Sequence, residues 1–125
     1  MSNFKYTKDH ECIYVDGDIA FIGISQHARD ALGDLVFIEL PEIGKTVSKG
    51  DDIAVVESVK TAAEVYTPVD GKITETNAAM ESDFDLVAKP VNEDGWIVKL
   101  KIIDAAALGS LMDEAAYAQY LKEVD

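Results

Sequence analysis

Lys60 is the residue whose type and setting most suggest chemistry. It stands in Val55-Val56-Glu57-Ser58-Val59-Lys60-Thr61-Ala62-Ala63-Glu64-Val65-Tyr66, where strand formers flank a single cation. A core strand does not bury a lysine without a partner. A surface turn is normally built from Gly, Asn, Asp or Pro, and none lies between Glu57 and Glu64. Three readings of Lys60 follow. It is a solvated surface lysine, the ordinary fate of the residue. It is a Schiff-base or general-base lysine, which needs an apolar pocket or a cationic neighbour; Glu57 and Glu64 bracket it instead. Or it is displayed at a hairpin tip and acylated there, losing its charge. The third reading accounts for most of the stretch. Small residues around the lysine (Ser58, Thr61, Ala62, Ala63) leave room for an enzyme, and Glu57 offers that enzyme a charge to read.

Other reactive residue types form weaker patterns. His10 and His27 are far apart in sequence and lack ligand companions at metal spacing, so no metal site is expected. Ser25, His27 and Asp30 contain the letters of a catalytic triad but fall within one short helical stretch. Glu81, Asp83 and Asp85 make an acidic loop without the glycine and glutamate offsets of a calcium loop. The chain shows no phosphate-binding glycine motif. No catalytic residue is therefore assigned.

The elements that must position Lys60 read mainly as short strands. Asp16-Gly17 joins Cys12–Val15 to Asp18–Ile24 as a hairpin turn. Ser25 caps a short helix, QHARDAL, ended by Gly33. Leu35–Leu40 is a strand stopped by Pro41. Gly44 and Gly50 mark turns before the Lys60 run, and GKITETN follows Pro68 and Gly71. In GWIVKLKI, period-two alternation puts Trp96, Val98, Leu100 and Ile102 on one face and Ile97, Lys99 and Lys101 on the other. From Asp104 the chain turns Ala-rich. Tyr117, Tyr120, Leu121 and Val124 recur at helical spacing, with Asp113 as the cap. A weak repeat, Pro41-x-x-Gly44-Lys45 and Pro68-x-x-Gly71-Lys72, suggests two strand-rich units packed as a pseudo-symmetric pair of small sheets. Without a Gly/Ser/Pro linker, residues 1–125 read as one domain. Its strand-rich body covers about 4–103 and its helical segment about 104–125.

Composition limits the partners. The chain has 125 residues, 48% hydrophobic and 28% charged, enough for one real core. A net charge of -13 disfavours nucleic acid and anionic membrane and favours partners with basic docking faces. The single cysteine, Cys12, excludes an internal disulfide and fits a reducing compartment. The N-terminal stretch has no signal-like apolar region, and no apolar run is long enough to span a bilayer, so a cytoplasmic protein is expected.

The order and spacing of several phrases resemble one family, the H-protein of the glycine cleavage system. They are YTKDHE (6–11), DIAFIGIS (18–25), LGDLVFIELPEIG (32–44), VSKGD (47–51), VESVKTAAEVYTPVDGKI (56–73) and DGWIVKLKI (94–102). The resemblance covers about residues 4 to 124 and implies a barrel-sandwich hybrid, the lipoyl/biotinyl-carrier fold. By it, Lys60 carries lipoate in amide linkage. Gly44 and Gly71 are then the turn glycines flanking the lipoyl hairpin. Glu57 is read by the lipoate-attaching enzyme, and Glu11 shields the loaded arm. The implied partners are a pyridoxal-phosphate glycine decarboxylase, a tetrahydrofolate-dependent aminomethyltransferase and dihydrolipoamide dehydrogenase. The decarboxylase passes the aminomethyl group of glycine to the arm. The aminomethyltransferase moves the one-carbon unit to tetrahydrofolate and frees ammonia, and the flavin enzyme reoxidises the dithiol. The carrier catalyses none of these steps; it tethers the intermediate at high effective concentration.

Two positions depart from the family pattern: Cys12 stands where Trp usually follows the His-Glu pair, and Ala63 where Ser is common. A buried Cys12 is a small hydrophobe, whereas an exposed one could form a mixed disulfide with the arm. Two other carriers remain open. A biotinyl carrier usually has Met on both sides of its lysine, but here Val59 and Thr61 flank it. An H-like carrier relaying octanoyl or lipoyl groups in lipoate metabolism would use the same Lys60.

Overall fold

The computed structural model describes residues 4–104, 108–109 and 111–124. Its elements are β1 (Phe4–Tyr6), β2 (Glu11–Asp16), β3 (Ile19–Ile24), α1 (Gln26–Leu32), β4 (Leu35–Glu39), β5 (Thr46–Val47), β6 (Asp52–Ser58), β7 (Ala62–Tyr66), β8 (Asp70–Thr76), β9 (Val98–Asp104) and α2 (Glu114–Val124). Two 3-10 turns, Ala78–Glu81 and Phe84–Ala88, lie between β8 and β9. The strands form a six-stranded sheet in the order β1-β2-β3-β9-β8-β5 and a three-stranded sheet β4-β6-β7. Every pairing is antiparallel.

The local signals behave as their chemistry demands. Gly17 takes φ 63 in the β2–β3 turn. The Ser25 hydroxyl accepts from the Ala28 amide and starts α1, and Gly33 closes it at φ 78. Asp113 caps α2 by accepting from the Ala116 amide at 2.8 Å. Tyr117 is buried while Tyr120 and Leu121 are half-buried, so the tyrosine stripe does pack on the body. The Val124 side chain and residues 105–107 and 110 of the Ala-rich segment lie outside the described parts.

The core lies between the sheets, where Ile13, Ile22, Ile38, Val56, Ile73 and Leu100 are fully or almost fully buried. The outer face of the large sheet carries a cross-strand row, Phe4–Tyr14–Phe21–Lys99–Glu75. Lys99 lies 4.7 Å from the Phe21 ring centre and 4.6 Å from that of Trp96, and pairs with Glu75 at 3.2 Å.

Three expectations need correction. Trp96 does not share the face of Val98 and Leu100. It packs outside with Phe21, while Ile97 is fully buried. The Ile97 amide bonds to Ile22 before β9 begins, so the alternation slips by one residue there. Gly71 is not a turn residue but a strand residue of β8. A Cβ there would overlap the Leu100 side chain, so the position needs glycine for close packing. The repeat, finally, does not fold as two separate small sheets. Its copies pair with each other, Thr46 with Lys72 and Val47 with Gly71, and the Gly44 amide donates to the Ile73 carbonyl at 2.7 Å. Gly44 itself does turn the chain, at φ 95.

Candidate functional site

The β6–β7 hairpin displays Lys60, and Ser58 explains how it turns without the usual turn residues. The Ser58 amide donates to the Thr61 carbonyl at 2.7 Å. The Ser58 hydroxyl donates to the same carbonyl at 3.1 Å and accepts from the Thr61 amide at 3.2 Å. A buried serine thus closes a four-residue turn through its side chain. The Val59 amide donates to the Asp34 carbonyl at 3.2 Å and ties the tip to the start of β4. Lys60 is exposed, and among the described residues no hydrogen bond or ion pair holds its ammonium. Its stem lies toward Gly33, whose added Cβ would sit 3.9 Å from Lys60 Cε. Glu57, half-buried, pairs across strands with Phe37 and Ala62.

At the other end of β7 the chain builds a cleft of about 470 Å³. Its walls come from four distant segments: Tyr6 to Glu11, Lys49-Gly50, Tyr66 to Pro68, and Leu111-Met112. Glu11 is only 2% exposed. The Thr7 hydroxyl donates to Glu11 Oε1 at 2.6 Å, and the Tyr66 amide reaches Oε2 at 3.5 Å. Burial pushes the carboxyl up to about 7, against the pull of the Thr7 and Tyr66 bonds and with a smaller contribution from Asp9. Glu11 is therefore poised to change charge near neutral pH. β7, five residues long, spans roughly 16 Å between turn and cleft.

A polar network behind the cleft was invisible in the sequence. His10 takes φ 71. Its Nδ1 is 2.7 Å from the Tyr117 hydroxyl, which is 2.7 Å from Ser25 Oγ. Tyr6 stacks on Tyr117 at 4.4 Å, and the His10 and His27 rings lie 4.6 Å apart. The His10–Tyr117 contact bridges 107 positions, so no local pattern announces it. Ser25 serves the cap and Tyr117, and Asp30 accepts from Gln26, so the triad letters do not assemble. Among the described residues, no three His, Cys, Asp or Glu side chains cluster as metal ligands. Cys12 is buried beside Tyr6, and burial pushes its thiol up to about 11, so the exposed thiol needed for a mixed disulfide with the arm is missing. Among the described residues, no helix is long and apolar enough to cross a membrane.

The family model of the glycine cleavage H-protein matches residues 4–124. The chain belongs to the glycine cleavage H-protein family. It is 48% identical to a glycine cleavage system H protein of Parvibaculum lavamentivorans, over 99% of both chains. It is 50% identical to the H protein of Xanthobacter autotrophicus, over 97% of both. A crystal structure of the H protein from Mycobacterium marinum superposes with a TM-score of 0.85 at 36% identity, covering 98% of each chain. The two-sheet fold is thus the lipoyl-carrier barrel-sandwich hybrid. The chain is a lipoyl carrier component of the glycine cleavage system and is not itself an enzyme. It works with the other enzymes of that system.

Proposed function

We propose that Lys60 is the attachment point of lipoate, that Glu57 marks it for the attaching enzyme, and that the Glu11 cleft shelters the loaded arm. The observation that carries this reading is the hairpin turn. It holds an exposed amine, without a partner among the described residues, on a hydrogen-bonded tip. A lysine so presented fits amide attachment, because among the described residues no salt bridge must be broken and the nearby Ala62 is small and exposed. The flanking Val59 and Thr61 suit lipoate better than biotin. Bound lipoate would supply a disulfide that is reductively opened as it accepts a one-carbon amine and is later reoxidised from the dithiol.

The chain's own residues do the rest. The turn orients Nζ outward, and β7 leads from it to the cleft. Glu11, able to ionise near neutral pH, would face a cationic amine as carboxylate and hold it away from bulk water. Gly44 keeps the turn into β5, and Gly71 keeps β8 against β9. Residues 1–125 act as one carrier domain, since sequence-distant strands interleave in the large sheet. The partners are the glycine decarboxylase, the aminomethyltransferase, dihydrolipoamide dehydrogenase and a lipoate-attaching enzyme. Its lone buried cysteine suits the reducing cytoplasm.

Intact mass of the chain from its native cells, with peptide mapping across Lys60, tests the attachment. A lipoyl increment on Lys60 is expected; an unmodified Lys60 in cells that lipoylate other proteins would overturn it. Incubation of the lipoylated chain with glycine decarboxylase and glycine then separates glycine cleavage from a pure lipoate relay. Loading of the arm is expected, and failure to load would leave the relay role.

A further inference from the structure

We propose that the solvent face of the β4-β6-β7 sheet, centred on Val36, Phe37 and Val59, docks the enzyme that acylates Lys60, through an apolar socket ringed by lysine or arginine. The proposal rests on the reading of Lys60 as the acylated residue. Val36, Phe37 and Val59 are 53%, 47% and 78% exposed. A register shift between Leu35 and Phe37 turns two successive apolar side chains outward while Ile38 stays in the core. Pairing rows run Phe37–Glu57–Ala62 and Glu39–Val55–Glu64, so three carboxylates interleave with the apolar groups. None of the three strands contains a lysine or arginine. β4 is also an edge strand of its sheet. An apolar centre with an acidic surround fits a partner of opposite pattern.

The occupant follows from the geometry of the bond to be made. Amide formation brings Nζ to bonding distance of an activated carboxyl. The Nζ lone pair forms the C–N bond, the acyl–oxygen bond of an acyl adenylate breaks, adenylate leaves with that electron pair, and the lysine protons pass to solvent. The acylating enzyme must therefore cover the surface next to Lys60. The Lys60 stem leans toward Gly33 and the Val59 amide is bonded to Asp34, which sets the amine on the β4 side of the tip. Enzymes that act at the far end of a loaded arm do not need this face.

The test uses the full, unacylated chain with a purified acyl-adenylate-forming ligase, ATP, magnesium and octanoate, followed by intact mass. Phe37→Ser with Val59→Ser is expected to raise the KM for the chain about tenfold or more at nearly unchanged kcat. Glu39→Lys, a second and independent variant, should raise KM and weaken its dependence on ionic strength. Ile103→Ser removes an equally exposed apolar side chain elsewhere and should change nothing. Thermal unfolding checks that each variant is folded. Unchanged KM in both patch variants would overturn the docking face. A dimer of the wild-type chain that Phe37→Ser dissolves, with KM unmoved, would make the face a self-association surface instead. A wild-type chain that takes no octanoyl group on Lys60 would bring down the attachment reading itself, and the docking face with it.

Discussion

The Lys60 turn and the Glu11 cleft sit at opposite ends of β7 and solve opposite problems. The turn is local: residues 58–61 close it with their own groups, and one contact from Asp34 steadies it. Its reactive group is exposed and unpartnered among the described residues. The cleft is assembled from four segments, and its central carboxyl is buried, bonded and shifted toward neutrality. Covalent attachment needs access, and sheltering a hydrolysable cation needs the reverse. Changes at the turn should therefore alter chemistry without stability, and changes at the cleft should alter both.

The largest expected effect is at the turn. Lys60→Arg keeps the charge but cannot be acylated as the amine is. All lipoylation and all carrier activity in a coupled glycine-cleavage assay should vanish. Stability should stay within about 0.5 kcal/mol by urea unfolding, since the side chain is exposed. Residual activity would show that another group carries the arm.

Glu11→Gln probes the other end. Folded Glu11 holds its proton up to about pH 7, against an ordinary value of 4.5. Between those values the folded chain binds more protons than the unfolded one, so this group's contribution to stability falls as pH rises and is worst above about 7. Glu11→Gln should remove that slope. The gain near pH 8 is on the order of 3 kcal/mol before losses in hydrogen bonding. Urea midpoints at pH 5 and pH 8 measure it. The variant should also accept lipoate normally while its loaded form loses the one-carbon group to water faster. Equal pH dependence in both proteins would mean that Glu11 is not titrating in this range.

Sequence reading and structure agree where signals are short-range. Ser25, Gly33, Asp16-Gly17 and Asp113 each mark an end or a turn by chemistry confined to a few residues, and each does so in the fold. The displayed Lys60 was legible for the same reason. The cleft was not: Glu11 was named by family likeness, but its burial depends on Tyr66 and Met112, far along the chain. In the sequence Ser58 is one of several small residues around Lys60, and only the fold shows that its hydroxyl makes the turn. Period-two alternation misassigns Trp96 because Ile97 and Val98 are both buried where the Ile97 amide bonds to Ile22 ahead of β9. Gly71 gave a sharper lesson. A glycine signals freedom from a side chain, and sequence alone does not say whether a turn or a neighbour such as Leu100 requires it. Gly71→Ala should destabilise the chain by about 1–3 kcal/mol through overpacking, seen as a lower thermal midpoint. The folded fraction should still take octanoate at Lys60, keeping the turn independent of the body.

Tyr117→Phe is the finest test of that independence. The variant keeps the stack on Tyr6 but loses the hydroxyl shared by His10 and Ser25. Ser25 retains its bond to the Ala28 amide, so α1 keeps its cap while the links from α2 to His10 and to Ser25 are cut. The cost should be about 1 kcal/mol. Because α2 follows directly on Leu111 and Met112 in the cleft wall, the loaded arm should hydrolyse slightly faster, while the KM for acylation stays put. In the double variant with Lys60→Arg, the stability changes should add, as they do for sites without shared partners. A coupling well above 0.5 kcal/mol, or a fall in acylation with Tyr117→Phe alone, would mean that turn and cleft communicate through β7 and behave as one site.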